Sequence, residues 1–314
     1  MNPVLILTAI APVMAILALG FWAGKRGLFS PDQARGLSTF ALHIALPASL
    51  LLGMARLDHD LLMQQGPMMV VMLIGYSGFF LAVYALLRSL RMKALRATLL
   101  GYAVASTAAP IYGLTVLVPI FGGPVGSGVV GLAALVTNLT QVSLVIFMLQ
   151  RAVAKGGSGS PALGRVIGDA LRNPLVWCPL AGAVISASGW HLPSVIETAF
   201  APLGVCAAGV AIFACGLILA GYRLILASRT VVFGTLACLV VQPVLFFVLI
   251  KVLGIGGAMA KATFVASVMP TGTPSALFAQ QYRDSEAETA SLMLVTTVAM
   301  VVMLPVGLVL ARSL

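Results

Sequence analysis

The chain is predicted to be an all-α integral membrane protein of ten transmembrane helices, built as two five-helix repeats of opposite orientation. Three observations predict this. Of 314 residues, 61% are hydrophobic and only 8% charged, with a mean hydropathy of +1.10, whereas soluble domains carry about 25% charged residues. The apolar runs reach the roughly 20 residues that a helix needs to cross a bilayer, and a single flexible stretch at the midpoint divides them five and five. Two of the runs are interrupted at matching places, ASTAAPIYGLTV around Pro110 and Gly113 and ASVMPTGTPSAL around Pro270, Gly272 and Pro274, with Pro110 and Pro270 160 residues apart. Similar halves with an odd number of spans insert in opposite senses, and paired interruptions point to the substrate site of a secondary transporter.

The spans are placed at 3–22, 37–54, 67–87, 97–121, 127–150, 174–189, 194–220, 230–250, 258–280 and 288–311. The first has no basic residues ahead of it and no cleavage site, so it is read as a retained helix rather than a signal peptide. The second carries His43 one turn before Pro47. The fourth holds the first interruption, and the fifth sets Thr137, Asn138 and Gln141 on one helical face. The stretch AVAKGGSGSPALG, 152–164, is a Gly/Ser-rich linker between a first repeat at 1–151 and a second at 165–314. Asn173–Pro174 opens the sixth span as Asn2–Pro3 opens the first. The seventh and eighth contain Pro202 and Pro243, and the ninth holds the second interruption. Thr297 in the tenth follows Pro270 by the 27 residues that separate Thr137 from Pro110.

Net charge is +10, but the basic residues gather in short connections. Lys25, Arg26 and Arg35 follow the first span; Arg88, Arg91, Lys93 and Arg96 the third; Arg151, Lys155, Arg165 and Arg172 the fifth; Arg223 and Arg229 the seventh. Connections after even-numbered spans are poor in Lys and Arg, with Lys251 and Lys261 the exception. Such asymmetry places the odd connections in the cytoplasm and both termini outside. No aromatic–basic interleaving suggests nucleic acid as a partner. Cys178, Cys206, Cys215 and Cys238 sit in apolar stretches without metal-ligand spacing and read as packing residues. A nucleophile elbow, an HExxH motif and a P-loop are all missing, which excludes the common hydrolases and an ATP-driven pump.

Proline removes a helical hydrogen bond and frees the carbonyl four residues earlier. Pro110 is expected to free Ser106, Pro270 to free Ala266, Pro274 to free Pro270 and Pro47 to free His43. A full break also creates half-helix N-termini whose N–H groups and dipole favour an anion. Pro47, Pro202 and Pro243 read as kinks. Small polar residues flank the paired interruptions: Ser106, Thr107, Gly113 and Thr115 against Thr271, Gly272, Thr273 and Ser275. His43, Tyr112 and Gln242 fit either packing or a polar cavity. All eight carboxylates, Asp32, Asp58, Asp60, Asp169, Glu197, Asp284, Glu286 and Glu288, fall in connections or near span ends. A cation carrier commonly uses an intramembrane acid, so an anionic or neutral cargo is expected.

At these residues the chain resembles the auxin efflux carrier family, whose bacterial members include malonate and other organic-acid transporters. The likeness lies in FALHIALPASLLLGMA (40–55), STAAPIYGLTVLVPIFG (106–122), RNPLVWCPLAGAVISASGWHLP (172–193), AIFACGLILA (211–220) and, most strongly, VMPTGTPSALFAQQY (268–282). The first interruption departs from the family, offering Thr107, Ala108 and Ala109 where members carry an Asn. The resemblance implies crossed, broken fourth and ninth helices in a fold similar to sodium/proton antiporters and bile-acid symporters. It implies a scaffold of the first, second, sixth and seventh spans, with the remainder moving as an elevator. The expected product is a non-enzymatic carrier of a small organic anion in a bacterial inner membrane, without cofactor or metal. The alternatives are a sodium-coupled organic-anion symporter of the bile-acid type and, in another class, a membrane sensor that binds a solute without moving it. Whether a proton or sodium couples, and whether the carrier is a homodimer, stays open. The expected binding residues are His43, Ala109, Pro110, Tyr112, Gly113, Asn138, Gln141, Pro270, Thr271, Gly272, Thr273 and Ser275.

Overall fold

The computed structural model describes residues 3–56, 66–153, 174–190, 192–221, 225, 226 and 228–314. Most of the 152–164 linker, the acids Asp58, Asp60 and Asp169, and Lys155, Arg165, Arg172 and Arg223 lie outside the described residues. The described chain is helical throughout: α1 (Pro3–Lys25), α2 (31–55), α3 (Gly66–Ser89), α4 (Ala94–Ala105), α5 (Ala109–Phe121), α6 (Gly123–Val153), α7 (Pro174–Ala187), α8 (Ser194–Gly221), α9 (Arg229–Val252), α10 (Ala258–Ser267), α11 (Thr273–Tyr282) and α12 (Glu286–Leu310). Seven stretches among the described residues are long and apolar enough to cross a membrane: 32–55, α3, 94–121, α6, α8, α9 and 286–313. Ala11–Lys25 and Trp177–Ala187 are shorter apolar helices.

α2 begins six residues ahead of the predicted second span because Ser30 starts it. Its hydroxyl accepts from the Gln33 amide (3.2 Å) while the Gln33 side chain accepts from the Ser30 amide (2.8 Å), a reciprocal cap followed by Pro31 in the first turn. Pro47 and Pro243 do not kink bare α-helix. Each follows a π-helical turn, Ala41–Ala45 in α2 and Ala237–Val241 in α9, where the wider winding takes up the bond that proline cannot make. Two further π turns, Leu73–Gly78 in α3 and Thr137–Val142 in α6, face each other, with Ser77 Oγ 2.7 Å from Thr140 Oγ1.

Helices α1, α2, α7 and α8 pack through small residues. A Cβ on Gly20 would lie 2.2 Å from the Phe213 carbonyl, one on Gly216 2.3 Å from that of Leu17, and one on Gly182 2.6 Å from that of Leu51. Close backbone approach is what drives helix association where lipid offers no hydrophobic gain. The main core runs from Val13 and Leu17 through Leu46, Tyr76, Tyr112 and Phe264 to Met300. A second cluster of Phe79, Phe80, Tyr102, Val145 and Leu292 joins α3, α4, α6 and α12.

Connections predicted to share a face of the membrane meet in space. Arg96 pairs with Glu288, and Arg35 lines one cavity with Gln280 and Glu286. At the other end, Arg56 pairs with Glu197 at 3.3 Å, and Lys251 donates to the Ser313 carbonyl.

Candidate functional site

Both interruptions are true breaks, and they lie against each other. α4 stops at Ala105 and α5 starts at Ala109, leaving a three-residue gap with Ser106 extended. α10 stops at Ser267 and α11 starts at Thr273, a gap of five residues, 268–272. The Ala108 amide donates to the Pro270 carbonyl (2.8 Å), the Gly272 amide to Ser106 Oγ (3.3 Å), and Thr107 Oγ1 to the Ala266 carbonyl (3.4 Å). Gly272 has φ −73°, so no left-handed conformation demands glycine there. Proximity does: a Cβ would sit 2.8 Å from the Thr107 carbonyl oxygen.

The prolines occupy different stations from those their spacing suggests. Pro110 is the second residue of α5 and Pro274 the second of α11, where the missing N–H costs no helical bond. Pro274, not Pro270, is therefore the structural counterpart of Pro110. Pro270 lies in the five-residue gap and serves through its carbonyl, which accepts from the Ala108 amide. The 27-residue spacing of Thr137 and Thr297 loses its meaning with that pairing; each hydroxyl bonds the carbonyl four residues back, of Ala133 and Met293.

The carbonyls opened by the first break also differ from expectation. The end of α4 leaves the buried Ala103 and Ala105 carbonyls without helical donors, and polar side chains take them. Thr271 Oγ1 donates to Ala103 (3.0 Å). Gln141 Nε2 and Gln242 Nε2, one from each half of the chain, both donate to Ala105, at 3.1 and 3.0 Å. The same amides reach Tyr76 (3.0 Å) and Gly75 (3.2 Å) in the π turn of α3. Gln141 and Gln242 thus lash α3, α6 and α9 to the break, and Gln242 is a residue whose part in the site its sequence position left open.

Thr271, Thr273 and Ser275 are buried in the second break. The Thr271 amide donates to Thr296 Oγ1 (3.2 Å) and Ser275 Oγ to the Gly272 carbonyl (2.7 Å). The half-helix ends are less bare than expected. The Ala109 amide is capped by Thr107 Oγ1 (3.0 Å), while the Thr273 amide at the start of α11 makes no hydrogen bond among the described residues. Tyr112 is buried, its hydroxyl 3.6 Å from Cys215 Sγ on α8, and a Cβ on Gly113 would meet Val130 at 2.5 Å. Asn138 is half-buried and donates to the Ala134 carbonyl on its own helix (2.8 Å). His43 stands apart: it is exposed on α2, with Nδ1 3.2 Å from the Thr39 carbonyl.

The residues of the breaks are buried, and two cavities lie elsewhere along the neighbouring helices. One of about 610 Å³ runs beside α5 past Leu114, Thr115 and Val118 to Arg56. Another of about 480 Å³ ends at Arg35 and Gln280, the latter on α11. Arg35 and Arg56 sit at opposite ends of α2, a length of about 30 Å at 1.5 Å per residue.

A family model described as membrane transport protein matches residues 5–160 and 161–308. The chain belongs to this family of membrane transporters. It is the auxin efflux carrier family that the sequence blocks resemble. Among its relatives is the protein described as uncharacterized transporter YfdV in Escherichia coli K12, 23% identical over 303 residues that cover 96% of each chain; the same match is made to proteins of that description in Escherichia coli O157:H7 and Shigella flexneri. In this transporter family member the candidate site is the meeting of two helix breaks, rich in hydroxyls and carbonyls, with no Asp, Glu, Lys or Arg among the described residues bonded there.

Proposed function

We propose that the protein is a secondary carrier of a small organic anion such as malonate, working by elevator-type alternating access. One observation carries this: an uncharged, buried meeting of two helix breaks, with cavities at opposite ends of α2, in a member of a membrane transporter family. In this reading the twelve helices form ten spans in two inverted repeats, α4 with α5 and α10 with α11 each making one broken span. The pairings of Arg96 with Glu288 and Arg56 with Glu197 support it, because an even number of crossings separates each pair. The packed block of α1, α2, α7 and α8 would be the scaffold. Thr271, Thr273, Ser275 and the free Thr273 amide would receive the carboxylate when the block carrying the breaks shifts, with Tyr112 and Asn138 beside them. The positive ends of α5 and α11 suit an anion at that point.

The test is uptake of labelled mono- and dicarboxylates by purified protein in proteoliposomes, with and without proton and sodium gradients. Saturable uptake of at least one carboxylate is expected, and dependence on sodium alone would identify symport of the bile-acid type. No flux across the whole panel overturns the proposal.

A further inference from the structure

Among the described residues, the cavity beside α5 has one charged side chain on its wall. Arg56 lines it with the hydroxyl residues Ser49, Thr115 and Ser127. Arg56 Nε and Nη2 lie 3.3 and 3.4 Å from Glu197 Oε1 and Oε2. Glu197 is not part of that cavity wall; it lines the neighbouring groove of about 620 Å³, which Arg56 shares. Arg56 therefore borders both the groove that holds its carboxylate partner and a second open space. Guanidinium carries five N–H donors in a planar fork suited to carboxylates, and Glu197 takes only two of them. Within the same space the hydroxyls of Ser49 and Thr115 make no hydrogen bond among the described residues.

Stability does not account for the pair. Arg56 and Glu197 are 57% and 34% exposed, and an ion pair so open to solvent holds little. α2 and α8 are joined independently, since a Cβ on Gly204 would already lie 3.3 Å from Ser49 Cα. Thr115 stands six residues beyond Ala109 on α5, about 9 Å of helix rise from the first break. The cavity so runs from a cation to the part of α5 that leads away from the first break.

We propose that Arg56, Ser49 and Thr115 form a carboxylate-binding subsite, where an anion docks on its way to or from the helix breaks. The inference rests on the anion-carrier reading above. Glu197 holds the guanidinium fork toward the cavity and competes with the cargo for it, so the docked anion is released rather than trapped.

The experiment compares wild type, Arg56→Gln, Arg56→Lys, Glu197→Gln and the charge swap Arg56→Glu/Glu197→Arg. Malonate and its neutral diamide serve as probes in two assays at low salt: the shift in thermal melting of purified protein, and the concentration dependence of uptake. Malonate, and not the diamide, should raise the melting temperature of wild type and of Glu197→Gln. Arg56→Gln should lose most of that shift and raise KM about tenfold with kcat nearly kept, as expected for one lost charge-assisted contact. Arg56→Lys should fall between, because it keeps charge without the fork. The swap restores the ion pair but moves the cation off the cavity wall, so it should stay as impaired as Arg56→Gln. A swap with wild-type KM and melting shift would make the pair a structural tie and overturn the subsite. If wild type carries no carboxylate, the carrier reading falls, and the melting shifts still decide the subsite by themselves.

Discussion

Ala105 is the residue on which the site turns. A helix end in a bilayer must find donors for its last carbonyls, because lipid supplies none. Gln141 and Gln242 meet that need together at one oxygen. Interhelical hydrogen bonds in membranes average about 0.6 kcal/mol, since the unfolded chain also finds partners, while a carbonyl left with none costs about 1–3 kcal/mol. Gln141→Leu and Gln242→Leu should each destabilise the protein by about 1 kcal/mol. The double variant should lose more than their sum, because only then is Ala105 orphaned. Denaturation of the four proteins in detergent checks this, and strict additivity would show that the two amides act independently. Gln141 was legible as a polar residue one span after a break. What it bonds was not, since a sequence does not say which carbonyl a helix end will offer across space.

At the scale of elements, glycine decides how closely helices approach. Gly216 in α8 faces the Leu17 carbonyl of α1, where an added Cβ would lie 2.3 Å away, whereas Gly209 on the same helix has open space. Gly216→Val should cost more than about 3 kcal/mol by forcing two backbones apart and lower the yield of folded protein. Gly209→Ala should be neutral, or stabilising by up to about 1 kcal/mol through helix propensity. Size-exclusion profiles and melting of both variants make the comparison. The breaks teach a related lesson. Pro110 and Pro270 looked equivalent because each interrupts an apolar run at the same interval, but the half-helices begin at Ala109 and Thr273. The two gaps differ in length, so an offset in sequence could not align them. Pro243 showed as a kink from sequence, yet the π turn before it depends on packing around α9, and no residue pattern marks it.

For the whole molecule, the paired ends set the topology to be tested. With native cysteines replaced, Glu197→Cys and Ser313→Cys should react with a membrane-impermeant maleimide in intact cells, while Arg96→Cys and Gln280→Cys should react only after the membrane is opened. Labelling of all four from one side would refute ten spans. Composition and charge placement alone determined that this is a membrane protein of long apolar helices with two interrupted segments, because hydropathy and proline act locally and every residue carries them. The family membership, too, came from the chain itself, through a match over residues 5–160 and 161–308. Only the tertiary structure decided that the two breaks touch, that Gln141 and Gln242 share one carbonyl, and that Arg56 looks into a cavity. Those are contacts between residues tens to more than a hundred positions apart, fixed by how helices pack, and local pattern holds no record of them.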